Sequence, residues 1–148
     1  MENKKIKNAT LGTFDGIKFK SKSEMEAYKI LKEEGLNPKY EQFKIVLQDA
    51  FKPNVPYFRE IDRVVRLDDA KIRSITYTPD ITVEYNNTLY IFEIKGFPND
   101  VYPIKKKLFR QWLEMYGVNS SKACMFFEVK SKMGVRDAIK IIKNERNK

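Results

Sequence analysis

The chain of 148 residues contains no histidine. That absence excludes HNH-type nuclease chemistry, histidine-based nucleophilic relays and zinc sites with imidazole ligands. There is one cysteine, Cys124, so an intrachain disulfide and cysteine zinc fingers are also excluded. Cys124 lies in the apolar run "ACMFFEV", where a buried structural thiol is expected. No apolar run reaches the roughly 18 residues of a membrane-spanning helix. The opening "MENKKIKNAT" does not read as a signal peptide. A cytosolic protein with no membrane partner is expected. Glycine and proline are sparse, at six each, and neither a repeat nor a low-complexity linker divides the chain. A single domain over residues 1–148 follows.

What is present is a packed, basic composition. Hydrophobic residues make up 42% and aromatic residues 13%, which suits a globular core rather than disorder. The net charge is +9, from 29 Lys and Arg against 20 Asp and Glu. That excess favours a polyanion as partner, most simply nucleic acid.

Residues 1–13 are polar and expected to be loose, with a short strand near Phe14–Phe19. "SKSEMEAYKILKEEG" predicts a helix from Ser21 to Glu34, stopped by Gly35. "EQFKIVLQ" reads as a strand, followed by two long β-rich runs, "VPYFREIDRVVRL" and "KIRSITYTPDITVEY". "TLYIFEIKG" is the next strand. "YPIKKKLFRQWLEMYG" predicts a helix with Pro103 at its start and Gly117 at its end. Ile104, Leu108, Trp112 and Met115 follow helical spacing along it. "KACMFFEVK" reads as a strand, and residues 134–148 as a basic terminal helix. The order implies an α/β fold with a mixed sheet flanked by helices on both faces.

The stretch "ITYTPDITVEYNNTLYIFEIKGF" carries the chemistry. Asn86-Asn87 suits a two-residue type I′ turn, because asparagine tolerates positive φ. Tyr85 then faces Thr88, and Asp80 falls opposite Glu93. Lys95 shares the Glu93 face. Directly opposed side chains have Cβ atoms roughly 4.5–5.5 Å apart, and like charges placed so are destabilising. A divalent cation would offset that repulsion, since Mg²⁺ takes oxygen ligands from one or two carboxylates plus substrate phosphate. Glu-x-Lys by itself carries little weight, because Glu2-Asn3-Lys4 and Glu128-Val129-Lys130 repeat it. Only Glu93-Ile94-Lys95 has a Pro-Asp facing it. Glu84 reads as a solvated charge.

A third carboxylate comes from the first helix. Met25, Ala27, Tyr28, Ile30 and Leu31 form its apolar sector, and Glu24 falls within it. A carboxylate aimed at a core is costly unless paired or metal-bound. Ser21-x-x-Glu24 is also a capping box, so Glu24 answers to both a site and a helix cap.

Pro79-Asp80 followed by Glu93-Ile94-Lys95 resembles the PD-(D/E)XK nuclease superfamily. The expected α-β-β-β-α-β order is similar to its restriction-endonuclease-like core. "FDGIKFKSKSEMEAYKIL", Gln42 in "YEQF" and "IFEIKGFPNDVYPIKKKLFRQW" resemble a phage-borne branch whose members are uncharacterised or resolvase-like. In that branch the helix motif is matched by Phe19, Ser21 and Glu24. The resemblance covers residues 14–129.

The resemblance implies metal-dependent hydrolysis of DNA phosphodiesters in a bacterial host's cytoplasm. Asp80, Glu93 and the Ile94 carbonyl would hold Mg²⁺, with Mn²⁺ as a substitute. Lys95 would orient or deprotonate the attacking water, Glu24 would hold a second ion or its water, and Gln42 would position water. Lys105 and Lys107, with Arg110, are the expected backbone contacts, since a bound phosphate suits a helix N-terminus. A Holliday-junction-resolvase-like enzyme must cut two strands of branched DNA, which predicts a homodimer. End processing, restriction-type cleavage and non-catalytic nucleic-acid binding are the alternatives; an inhibitor or adaptor acting on host proteins is neither selected nor excluded. Residues 50–74 exceed a minimal core; a dimer arm, a DNA-contacting hairpin and plain scaffold all suit them.

Overall fold

The computed structural model describes residues 12–94 and 99–145. The expectation for residues 1–13 therefore falls almost wholly outside the described residues. The chain begins with a small hairpin, β1 (Thr13–Phe14) and β2 (Ile17–Lys18), turned at Asp15 and Gly16. Asp15 ties the hairpin down by accepting from Lys32 Nζ and, at 3.3 Å, from the Tyr28 hydroxyl.

Helix α1 spans Lys22–Glu33, with Ser21 as its N-cap. The Ser21 hydroxyl accepts from the Glu24 N–H at 3.1 Å, which satisfies one of the unpaired donors of the first turn. At the other end Gly35 has φ +79, and Leu36 N–H donates to Leu31 C=O at 3.1 Å. This glycine stop is the one the sequence predicts. Ala27, Tyr28, Ile30 and Leu31 are buried, as the apolar sector requires.

The central sheet has the order β10-β9-β8-β3. Its members are β3 (Lys39–Tyr40), β8 (Ile81–Tyr85), β9 (Thr88–Ile94) and β10 (Ala123–Val129). β8 and β9 form the predicted hairpin, with pairs running from Tyr85↔Thr88 to Ile81↔Phe92. Asn86 and Asn87 have φ of 51° and 62°, as a type I′ turn demands. β10 runs parallel to β9 and is reached through helix α2 (Tyr102–Ser120), a β-α-β crossover. β9 is buried on both faces and reads accordingly as a nearly continuous apolar run.

Two cores result. Tyr90, Phe92 and Ile94 pack with Ile81 and Val83 against α1 and helix α3 (Lys132–Glu145). Leu89 and Ile91 pack on the opposite face, against Tyr102 and Phe109 of α2. Ile45 of β4 (Ile45–Gln48) and Tyr77 of β7 (Ile75–Tyr77) complete that second core. The molecule is thus a mixed α/β fold with helices on both faces of the sheet. Among the described residues no helix is long and apolar enough to cross a membrane.

Three local readings of the sequence need correction. Each long β-rich run breaks in two. The first is a hairpin of β5 (Phe58–Ile61) and β6 (Val64–Leu67), turned at Asp62 and Arg63 with φ of 53° and 66°. No glycine marks that turn, and positive φ at arginine is uncommon. The second run breaks before Asp80, where Pro79 has no N–H to give a ladder. The third correction concerns α2, which passes through Gly117 and ends at Ser121 with φ 58°. Its buried face is also turned: Tyr102 and Phe109 are buried, while Ile104 and Met115 are 62% and 58% exposed. The larger rings of Phe109, Trp112 and Tyr116 stack and claim the sheet side.

Candidate active site

Asp80 lies one residue before the first pair of β8, so the hairpin register carries it to the level of Glu93. Its Oδ2 accepts from the Ile94 N–H at 2.7 Å, and its carbonyl accepts from the Glu41 N–H at 2.8 Å. The Asp80 carboxyl is pushed up to about 8, by burial first and then by the charges of Glu93, Glu24 and Glu41. The Ile94 N–H only partly offsets this. The like charges around it raise the cost of ionising Asp80.

Glu93 is held from the second core. The Tyr77 hydroxyl donates to Glu93 Oε1. Burial and the Glu93 charge push the Tyr77 hydroxyl well above the usual phenol range. Next to Glu93 in the parallel ladder stands Glu128 of β10. Lys106 Nζ donates to Glu128 at 3.0 Å, and the same ammonium lies 5.5 Å over the Tyr102 ring.

Glu24 reaches the site from α1. Tyr40 donates its hydroxyl to Glu24 Oε1 at 2.5 Å. The Ser21 hydroxyl makes its half of the capping box, and the Glu24 carboxylate accepts from Tyr40. Burial pushes the Glu24 carboxyl up, and Glu41 adds to that, while Tyr40 and Lys20 pull the other way. Lys20 Nζ pairs with Glu41 Oε2 at 2.8 Å. Its ammonium is pushed up by Glu41 first, and by Glu24 and Asp80 as well.

Glu41, Lys20, Tyr40 and Tyr77 were not singled out from sequence. Glu41 gives the clearest signal in retrospect. It follows β3, has φ 47°, and is placed beside Asp80 by the antiparallel pair Tyr40↔Ile81.

The other expected residues divide. Ile94 is at the end of β9, with its N–H on Asp80. Lys95 lies outside the described residues. Gln42 is not on a strand but between β3 and β4, where its Oε1 accepts from the Thr82 hydroxyl at 3.2 Å. Thr82 is 2% exposed, so Gln42 satisfies a buried hydroxyl.

Lys105 lines a groove of about 420 Å³ with Asn99, Tyr77 and Tyr102, beside the residue that holds Glu93. Arg110 opens instead onto a groove of about 900 Å³ between α2 and β10, with Lys106 and Lys122. Lys107 is exposed on α2. At the head of α2, Asn99 Oδ1 accepts from Val101 N–H at 3.0 Å and Tyr102 N–H at 2.7 Å. Two donors expected to greet a phosphate are thereby occupied. Glu84 is exposed and pairs with Lys122 at 2.6 Å.

Among the described residues no group of three or more acidic, cysteine or histidine side chains converges as a self-sufficient metal site. A pair of carboxylates still suits Mg²⁺, which keeps several waters and completes its shell with substrate phosphate. The oxygen-only donors of Asp80 and Glu93 fit such a hard ion. Residues 4–132 match the family described as protein of unknown function DUF1064. The chain belongs to that family. No curated protein and no solved structure matches it. The matched span of this DUF1064 member contains Glu24, Asp80, Glu93 and every other candidate residue named above.

Proposed function

We propose that the protein is a metal-dependent DNA endonuclease of PD-(D/E)XK type, built on a restriction-endonuclease-like core. The observation that carries this reading is the pair of carboxylates at the open end of the β8–β9 hairpin, Asp80 clamped by the Ile94 N–H and Glu93 held by the Tyr77 hydroxyl. A protein that only bound nucleic acid would gain nothing from opposed half-buried carboxylates.

Asp80, Glu93 and the Ile94 carbonyl would hold Mg²⁺ or Mn²⁺. When bound, the ion polarises the scissile phosphate and lowers the pKa of its water. The chain's own residues do the rest. The Ile94 N–H fixes the Asp80 carboxylate, and Tyr77 fixes Glu93. Such outer partners orient ligands and tune them. Glu24, set by Tyr40, faces the same centre and accepts a proton or a water hydrogen bond. Lys95 orients the attacking water and offsets charge as it develops. Lys105, Lys107 and Arg110 bind the phosphate backbone, which gives affinity without base readout. Branched DNA, cut in the manner of a junction resolvase, is the substrate we propose.

The test uses labelled four-way junction, splayed duplex, linear duplex and single strand, with Mg²⁺, Mn²⁺ or chelator. Asp80→Ala and Lys95→Ala run in parallel. Metal-dependent cutting of the junction, lost in both variants while binding persists, is the expected result. Cutting of linear ends alone would move the reading to end processing. Binding without any cutting, alike in wild type and Asp80→Ala, would overturn it.

A further inference from the structure

A pocket of about 360 Å³ opens on the second core, between the start of β4 and the C-terminal half of α2. None of the residues given a role in cleavage lines it. Its floor is made by the buried side chains of Thr82, Leu89 and Ile91. Trp112 and Tyr116 form one wall, their rings stacked at 5.0 Å with 16° between the planes. Phe43, which also lines it, is 37% exposed, and Lys44 beside it is exposed.

The floor continues the sheet face that carries Glu93. Glu93, Ile91 and Leu89 alternate onto one face of β9, and Ile91 is paired with Thr82. Two residues of strand separate Glu93 from Ile91, about 7 Å. The pocket therefore begins one rung along the hairpin from the Asp80 and Glu93 carboxylates.

We propose that this pocket takes one unpaired nucleobase of the strand whose phosphate lies at Asp80 and Glu93; the proposal rests on the reading of those carboxylates as a phosphodiester site. Four features select a nucleotide as occupant. The volume lies at the low end of ligand pockets, with room for a single ring system. The stacked Trp112 and Tyr116 offer aromatic faces of the kind on which bases stack. Lys44 is the one charged residue lining the pocket among the described residues, and an ammonium suits the phosphate of the same strand. The pocket also adjoins the carboxylates, and a nucleotide spans that separation from phosphate to base. A base stacked within a duplex cannot enter, so the substrate class narrows to DNA with an unpaired base next to the cut.

Trp112 is the only tryptophan of the chain, so its fluorescence reads the pocket directly. The full chain is titrated in chelator with deoxyadenosine monophosphate, deoxyadenosine, deoxyribose phosphate and decanoate. The monophosphate should quench Trp112 saturably, the nucleoside more weakly, and the sugar phosphate not at all. Phe43→Ala should weaken nucleotide and nucleoside alike by at least about fivefold, the lower end of one base–aromatic stack. Lys44→Glu should weaken the nucleotide alone and leave the nucleoside unchanged. Circular dichroism reports that both variants keep their fold. Absence of saturable quenching by nucleotide and nucleoside overturns the proposal. So does quenching that neither variant weakens. Binding of decanoate in place of the nucleotide would assign the pocket to an acyl chain and overturn it as well. No metal and no cleavage enter this measurement. Nucleotide binding in a protein that cuts no DNA would therefore sink the nuclease reading alone, and cleavage without quenching would sink the pocket proposal alone.

Discussion

The side chain of Asp80 is joined to the backbone of Ile94 by a 2.7 Å hydrogen bond, so the last residue of β9 and the residue before β8 are clamped across the hairpin. The clamp holds a carboxyl whose proton leaves only near pH 8. An unfolded aspartate loses its proton near about pH 3.9. Between those values the folded chain binds more protons at this position than the unfolded chain does. Stability from this group is therefore highest below pH 4 and falls as pH rises toward 8. Thermal melts should show the midpoint falling over that window, with Asp80→Asn flattening the fall by a few degrees at pH 8; about 1 kcal/mol corresponds to roughly 2–4 °C in a chain of this size. Millimolar Mg²⁺ should raise the wild-type midpoint at pH 8 and leave Asp80→Asn unmoved.

Tyr77→Phe removes the hydroxyl that holds Glu93 Oε1. Loss of such an outer partner lowers metal affinity or activity by about 10–100-fold. Cleavage titrated against Mg²⁺ should shift to higher metal concentration by that factor. The melting loss should stay near about 1 kcal/mol, as for one hydrogen bond.

Gln42→Leu separates scaffold from chemistry. The Thr82 hydroxyl would lose its acceptor within a buried position. A loss of about 1–3 kcal/mol in denaturant unfolding is expected. The cleavage rate at saturating metal should hold within twofold of wild type. A large loss of rate with unchanged stability would instead place Gln42 in the reaction.

Phe109→Ala and Ile104→Ala report which side of α2 faces the sheet. Phe109 is 0% exposed, and its truncation should cost about 3–5 kcal/mol. Ile104 is 62% exposed, and its truncation should fall within about 0.5 kcal/mol of neutral. Urea unfolding of the two variants makes the comparison.

Much of this arrangement was legible because it is local. Asn86-Asn87 sets the hairpin register, and that register alone carries Asp80 to Glu93. Ser21 and Gly35 bracket α1 by their capping chemistry, and the apolar spacing orients Glu24. What was not legible depends on contacts between distant segments. Glu41 reaches Asp80 only through the pairing of β3 with β8. Tyr77 reaches Glu93 across the second core, through a bond that no spacing rule encodes. Apolar spacing alone did not decide the buried face of α2, because Ile104, Leu108, Trp112 and Met115 and the set Tyr102, Phe109, Leu113 and Tyr116 both fit a helical period; packing against Leu89, Ile91 and Phe126 took the second set together with Trp112. The turn at Asp62-Arg63 has no glycine to announce it.

The β8–β9 hairpin carries the Asp80 and Glu93 carboxylates at one end and its Asn86-Asn87 turn at the other. Tyr85↔Thr88 closes it beside Asn86-Asn87, and Ile81↔Phe92 leads to Asp80 at the other end. At about 3.3 Å per residue the strand separates those ends by roughly 15–20 Å. A fluorophore, spin label or short peptide inserted at the Asn86-Asn87 turn would ride on the same rigid ladder as the carboxylates without touching them. The chain thus carries a built-in attachment point for distance measurements along the hairpin to its carboxylate end.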